Sequence, residues 1–246
     1  MDAYRDVALY YDLEHQQFHE DIDFYLRLVR GPRVLEVGAG TGRIVEPLSA
    51  AGLEVWGVDS SRTMLDIARQ RLHGNVRAHL VESAIQSMRL EDRFDAALFT
   101  LNMLGHLHTL EDQLAALRTV HRHLVHGGQL IVDLSNPLTM ADRGANGIVR
   151  QRFSTRTSTS LVTGLSAVWD DAAGQMMTIA LSYEEVDAEG AVRRSSVDLL
   201  LRYMYRFEVE LLLAHTGFHV LELFGDYDEQ PYTPESPNLI VLAEAL

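Results

Sequence analysis

The chain has 246 residues, room for one large domain or for a domain carrying a sizeable insertion. With 47% hydrophobic and 23% charged residues it has the composition of a globular protein, and its formal net charge of −14 repels nucleic acid, so none is expected as a partner. Cysteine is absent, which excludes disulfides, zinc–thiolate sites and cysteine nucleophiles and fits a reducing, cytoplasmic location.

The N-terminal stretch MDAYRDVALYYDLEHQQ is acidic from its second residue and lacks the apolar run of a secretory signal, so none is expected. Nowhere does the chain approach the roughly 20 apolar residues of a membrane span, and no membrane partner is expected. Residues 33–37 (RVLEV) form a short apolar strand ending at the cluster Gly38-Ala39-Gly40-Thr41-Gly42. Ile44, Val45 and Leu48 then give an amphipathic helix that Gly52 ends. The pattern repeats with a strand over 53–58, a turn Asp59-Ser60-Ser61 with N-cap chemistry, and a helix face of Met64, Leu65, Ala68 and Leu72. Strands over 76–81 and 94–100, a helix over 111–124, the pair Gly127-Gly128 and a fifth strand over 129–134 follow. Strands alternating with helices at this spacing imply a parallel, doubly wound α/β sheet.

After Asn136-Pro137 the rhythm changes. Residues 150–203 are rich in Thr, Ser, Val and Tyr, with turn signals at 170–174 and 187–190, and read as antiparallel strands over 161–169, 176–186 and 192–203. Arg150, Arg152 and Arg156, interleaved with Ser and Thr, read as a solvated strand face and not as a nucleic-acid patch. A helix over 207–216, a stop at Gly217 and strands over 220–224 and 238–243 complete a mostly parallel seven-stranded sheet with an antiparallel β insertion. The insertion is expected over the carboxyl edge of the sheet, where ligands bind in such folds.

Gly38, Gly40 and Gly42 stand at alternate positions, where glycine permits φ > 0 and close approach of a ligand. One strand later Asp59 is placed to accept both hydrogen bonds of a ribose diol. Alone, either feature fits a tight turn or a helix cap; in register they mark a nucleoside-containing ligand. A dinucleotide motif wants G-x-G-x-x-G, but here the third glycine comes one position early and Arg43 takes the last slot. Glu36 lies in a strand otherwise built for burial, and a buried carboxylate needs a partner. A cationic amine would supply one, whereas a pyrophosphate would be repelled. S-adenosylmethionine carries both an amine and a sulfonium.

Residues 36–42 (EVGAGTG), 57–68 (GVDSSRTMLDIA), Arg93-Phe94-Asp95 and His126-Gly127-Gly128 resemble, in order and spacing over about residues 33–134, the successive motifs of class I S-adenosylmethionine-dependent methyltransferases. The resemblance implies a Rossmann-like cofactor domain over 1–138 and 204–246, and a β-rich insertion over 139–203 that forms a substrate lid. It places Gly38, Ala39, Gly40 and Gly42 along the methionine portion, Asp59 with Ser60 at the ribose, and Met64 and Ile85 near the adenine. Where many members have an Asp for the adenine amine, this chain reads Glu82-Ser83-Ala84-Ile85, so Ser83 or a backbone carbonyl substitutes. Leu101 joins this cofactor-binding set.

Tyr11-Asp12 is similar to a signature whose tyrosine closes over the methionine portion. Within Thr100 to His106, the segment around Asn102 to His106 resembles the loop that faces the transferred methyl group in sugar-amine and glycine-type N-methyltransferases. His106 is the candidate base, with an ordinary pKa of about 6.5 suited to proton removal at neutral pH, although the chain carries eleven histidines. Tyr11 is the other catalytic candidate. His106 and His108 have no carboxylate in a ligand pattern with them, and no metal is expected. The expected reaction transfers a methyl group to a small-molecule acceptor, N-methylation ahead of O-methylation, with S-adenosylhomocysteine as product. The alternatives are an NAD-dependent oxidoreductase, disfavoured by Arg43 and Glu36, and a non-catalytic S-adenosylmethionine-binding module. The oligomeric state is open, a homodimer among the options. As an exposed strand-end carboxylate, Asp59 is expected to be replaceable by Ala without harm to the fold.

Overall fold

A computed structural model describes residues 4–5, 7–140 and 146–246. Two helices precede the first strand, in a stretch where the sequence pattern places no element. α1 (Ala8–His15) has no capping side chain, and a helix so short does not persist alone; the burial of Val7, Ala8 and Tyr10 holds it. α2 (Glu20–Leu28) carries Glu20, Asp21 and Asp23 in its first turn, where acidic groups suit the helix dipole, and buries Phe24 and Tyr25.

From β1 (Arg33–Val37) strand and helix alternate through α3 (Val45–Ala50), β2 (Glu54–Asp59), α4 (Arg62–Arg71), β3 (Ala78–Glu82), β4 (Phe94–Phe99), α5 (Leu110–His123) and β5 (Leu124–Ser135). α4 begins where Ser61 accepts the Met64 N–H at 3.2 Å, and α5 where Thr109 accepts the Asp112 N–H at 3.1 Å. β5 starts ahead of the predicted residue 129. It pairs Leu124 with Phe94, bulges through Gly127 at φ +74°, and regains register with Gln129 opposite Ala96.

The alternation then gives way to β6 (Arg150–Arg156), β7 (Ser160–Asp171), β8 (Met176–Asp187) and β9 (Val192–Arg202), which pair antiparallel in that order as a separate sheet. Arg150, Arg152 and Arg156 are all exposed on β6. Residues 141–145 of the expected insertion, and residues 1–3 and 6 of the N-terminal stretch, lie outside the described residues. α6 (Arg206–His215) ends before Gly217 at φ +90°, and β10 (Phe218–Phe224) and β11 (Asn238–Ala245) return to the first sheet.

That sheet runs in the order β10-β11-β5-β4-β1-β2-β3, antiparallel at β10 and β11 and parallel elsewhere. Its order reverses between β1 and β4, whose carboxyl ends frame the crevice where ligands bind in doubly wound sheets. Leu35, Phe99 and Val132 pack on one face with Leu117 and Val120 of α5. Val34, Leu98 and Ile131 pack on the other with Phe24 of α2 and Leu48 of α3. Strand alternation puts Glu36 on the same face as Val34.

The second sheet lays Val162, Leu181 and Tyr183 against Val7 and Tyr10. Its other end rests on the loop after β4. A Cβ at Gly105 would lie 2.8 Å from the Arg202 carbonyl oxygen, and His108 Nε2 is 2.7 Å from that of Leu200. α1 and this loop thus join the second sheet to the carboxyl edge of the first.

Candidate active site

β1 hands the chain to a turn in which Gly38, Gly40 and Gly42 have φ of +77°, +54° and +78°, a region costly for residues with a Cβ. The Gly38 and Ala39 N–H groups donate to the Val58 carbonyl at 2.8 and 3.1 Å, tying the turn to β2. A Cβ on Gly38 would collide with Met103 Sδ, and one on Gly42 would press on Ala68 of α4 and on Leu72 just after it, at 3.3 and 3.2 Å. At Gly40 a Cβ would meet Met64 Cε at 3.8 Å and the Gly38 carbonyl oxygen at 4.0 Å, ordinary contacts that leave this glycine room on that side.

Asp59, at the end of β2, does more than a free strand-end carboxylate would. Its Oδ2 accepts the Gly40 N–H at 2.8 Å and its Oδ1 the Ser61 N–H at 2.7 Å, so it braces both the glycine turn and the start of α4. The expectation that Asp59→Ala leaves the fold untouched is corrected accordingly. Ser60 is exposed at the rim, while its neighbour Ser61 caps α4. The Ser83 N–H donates to the Asp59 carbonyl at 3.0 Å and the Ser83 hydroxyl to the Ala84 carbonyl at 3.1 Å. Ala84 is exposed, whereas Ile85 and Met64 are buried.

Glu36 is 1% exposed. Among the described residues its Oε1 receives only the Thr100 hydroxyl, at 3.5 Å, and its Oε2 has no hydrogen-bond partner. Burial pushes this carboxyl well above its ordinary value; the Arg43 charge offsets part of the shift, and Asp59 and Asp21 add to it. Arg43 faces Glu36 but is committed to α2. Its Nη1 donates to Asp21 Oδ1 and to the Phe18 carbonyl, each at 3.1 Å, and its Nη2 pairs with Asp21 Oδ2. Burial alone would lower the Arg43 pKa, but this two-pronged pairing outweighs it and keeps the guanidinium charged.

Tyr11 lies beside them, within the field of the Arg43 charge and stacked on His15 at 4.3 Å between ring centroids. Burial pushes its phenol up to about 12, so Tyr11 keeps its proton at neutral pH. α1 is latched over the glycine turn by the next residue. Asp12 Oδ1 accepts the Thr41 hydroxyl at 2.6 Å, and Asp12 Oδ2 pairs with Arg71 Nη2 at 2.7 Å. In the sequence Arg43 stands out only as a departure from another motif, and nothing there marks Asp21, Thr41 or Arg71. An acid in a first helical turn reads as a dipole complement, and no local spacing links it to an arginine one strand later.

The loop after β4 begins with Leu101 and Asn102 at φ +47° and +64° and continues through Met103 into a 3₁₀ turn ending at His106. His106 Nε2 lies 3.4 Å from the Tyr4 hydroxyl, and Tyr4 packs against the cluster of Val7, Tyr10, Val162, Leu181 and Tyr183. Burial, with a smaller contribution from His108, pushes the His106 imidazole down to about 4. Beside the same loop, the buried Asp133 at the end of β5 accepts the hydroxyls of Tyr25 and Tyr227 at 2.5 and 2.9 Å and the side-chain amide of Asn238 at 3.3 Å. Tyr227 belongs to the loop over 225–237, which also sends the Tyr232 hydroxyl to Asn136 Oδ1 at 3.1 Å. The proline-containing loop therefore packs on the end of β5 as well as connecting β10 to β11.

Two open cavities, about 460 and 320 Å³, lie instead around Arg93 and Arg122 at the amino ends of β4 and β5. There Arg93 is engaged with the carbonyls of Arg122 and Leu124, and among the described residues no glycine lines either space. The glycine turn and Glu36 lie at the opposite, carboxyl edge.

Residues 34–128 match a family described as a methyltransferase domain. The chain is 28% identical over 225 residues to the cypemycin N-terminal methyltransferase of a Streptomyces species, covering 89% of this chain and 85% of that protein. It is 26% identical to the dTDP-3-amino-3,4,6-trideoxy-alpha-D-glucopyranose N,N-dimethyltransferase of Streptomyces venezuelae, over 78% of this chain and 77% of the relative. Among solved structures it resembles the CcbJ methyltransferase of Streptomyces caelestis, with a TM-score of 0.81, 26% identity and coverage of 99% and 98% of the two chains. The chain thus carries a methyltransferase domain over residues 34–128 and is similar, along nearly its whole length, to S-adenosylmethionine-dependent methyltransferases of class I.

Proposed function

We propose that this chain transfers a methyl group from S-adenosylmethionine to the amine nitrogen of a small acceptor held between the carboxyl edge of the first sheet and the inner face of the second. The observation that carries the reading is Glu36, a buried carboxylate with an unpartnered oxygen at the switch point. Such a group calls for a cationic donor, which the cofactor's amine provides. Bound cofactor supplies a methyl group already activated on a sulfonium. The chain's own residues bind, align and exclude water. Glu36 accepts from the amine, and Tyr11, which keeps its proton, donates across the methionine portion. Gly38, Ala39, Gly40 and Gly42 give it a flat backbone bed, with Leu101 beside it. Asp59 takes the ribose hydroxyls with Ser60 at the rim. Met64 and Ile85 flank the adenine, and Ser83 or a backbone carbonyl beside Ala84 meets its amine. Residues 139–203 act as the lid, and their apolar inner face suits a small acceptor better than a polyanion. Among the described residues no helix is long and apolar enough to cross a membrane; the lack of cysteine favours the cytoplasm.

Both relatives named above are N-methyltransferases, of a peptide N-terminus and of an amino sugar, which favours nitrogen as the acceptor. The test is a calorimetric titration with S-adenosylmethionine, S-adenosylhomocysteine and NAD, followed by mass spectrometry of small amines, amino sugars and their hydroxyl counterparts after incubation with the cofactor. Binding of NAD alone would overturn the cofactor; methylation confined to hydroxyls would overturn the acceptor.

On the acceptor side, an imidazole pushed down to about 4 stays neutral across physiological pH. His106 and the Tyr4 hydroxyl then orient the amine by hydrogen bonding, and the proton it sheds leaves to water. His106→Gln is expected to lower kcat by about tenfold, the scale of one hydrogen bond to a reacting group. The acid limb of the pH–rate profile should stay where it is, because that limb belongs to the acceptor amine. A limb that moved or vanished would make His106 the titrating base.

A further inference from the structure

β4 leaves the sheet at Thr100 and the chain at once takes the left-handed conformation at two successive residues with side chains, Leu101 and Asn102. Asparagine tolerates that region; leucine gains nothing there, so the turn must be held from outside. The holder is Asp133 on β5. Its backbone carbonyl accepts the Asn102 N–H at 2.9 Å, and its carboxylate Oδ2 accepts the Leu101 N–H at 3.5 Å. Asn102 closes a second tie to the same strand: its Oδ1 accepts the Ser135 N–H at 2.7 Å and its Nδ2 donates to Ser135 Oγ at 2.9 Å.

The turn is the joint between the two halves of the site. Before it, Thr100 donates to Glu36. After it, Met103 lies against Gly38, and His106 faces Tyr4. A shift at Leu101 would move the loop that carries the cofactor-side and acceptor-side groups. A carboxylate suits the post because it offers about four acceptor sites and no donor. Here the donors are Tyr25, Tyr227, Asn238 and the Leu101 N–H. An amide would turn an NH₂ toward some of them.

We propose that Asp133 is a positioning residue for methyl transfer, holding the strained Leu101–Asn102 turn so that the groups on either side of it stay in register. The inference rests on the cofactor reading given above. The structural alternative is that Asp133 merely ties α2 and the loop over 225–237 to the sheet, and rescue separates the two.

S-adenosylmethionine is titrated by calorimetry into the full chain, Asp133→Asn, the double variant Asp133→Asn/Leu101→Gly, and Leu101→Val, and the thermal midpoint of each is recorded. Asp133→Asn is expected to bind about tenfold more weakly and to melt lower. Glycine adopts a positive φ without strain, so the double variant should bind within about threefold of the unchanged chain. It should still melt low, because both tyrosines continue to face an amide. Leu101→Val leaves Asp133 intact but puts a β-branched residue in the left-handed region. It should lose about tenfold in affinity, and it decides the matter if Asp133→Asn does not fold. Unaltered affinity in either single variant, or affinity that recovers only together with the melting point, overturns the proposal. Failure of the unchanged chain to bind would overturn the cofactor reading itself, and the proposal with it, whatever the variants do.

Discussion

Glu36→Gln is expected to weaken S-adenosylmethionine binding by about 2–3 kcal/mol, the scale of a buried charged hydrogen bond. The same change should stabilise the cofactor-free protein. In the wild type a carboxylate that is 1% exposed has, among the described residues, one weak donor and one bare oxygen. Burial therefore raises its pKa in the folded chain above the ordinary glutamate value of about 4.3. Between that value and the raised one, the folded protein holds a proton that the unfolded chain has released. Unfolding then loses a proton, and stability falls as pH rises through this window. A cationic amine favours the ionised carboxyl, so cofactor affinity should rise with pH over the same window. Glutamine is nearly the same shape and does not titrate, and both slopes should flatten. Thermal denaturation without cofactor and calorimetry with it, run from pH 5 to 8, check the two signs. Pairing of Glu36 with the cofactor amine would be excluded if the variant bound as tightly as the wild type at every pH.

Glu36 is legible in the sequence because a single acid in the run RVLEV breaks a burial pattern. The alternate glycines and Asp59 are legible for a related reason. Each serves a backbone requirement written within a few residues, a positive φ or a strand end next to a cap. The strand–helix alternation and the antiparallel segment are readable from periodicity, because burial on one or both faces leaves a period in the chain. What stays hidden lacks such a local trace. α1 owes its helicity to packing against the second sheet and to the Asp12 latch. The pairing of Arg43 with Asp21, the contact of Tyr4 with His106 and the cluster around Asp133 join residues from separate elements. The start of β5 escapes the pattern because Gly127-Gly128 reads as a loop when the strand in fact bulges through it. Asp59 is only half legible: the spacing puts it beside the glycine turn, but nothing local says that it braces the turn.

That brace changes what Asp59→Ala should do. Two backbone N–H groups, of Gly40 and Ser61, lose their acceptor at 2.8 and 2.7 Å. The thermal midpoint should therefore drop, by an amount corresponding to about 1–3 kcal/mol for partly buried donors left unsatisfied. Cofactor affinity should fall by about 1.5–3 kcal/mol if the carboxylate also holds the ribose, on the same scale. A looser turn alone could lower affinity too, and the two causes are separable by a cycle on the ligand side. An S-adenosylmethionine analogue lacking the 2′-hydroxyl should bind the wild type about 1–2 kcal/mol more weakly than the parent, the value of one hydrogen bond to a charged group. In Asp59→Ala the two ligands should bind nearly alike, because the partner of that hydroxyl is gone. If the variant still discriminated between them by the full wild-type margin, the ribose contact would lie elsewhere. Asp59 would then act on the cofactor only through the glycine turn that it holds.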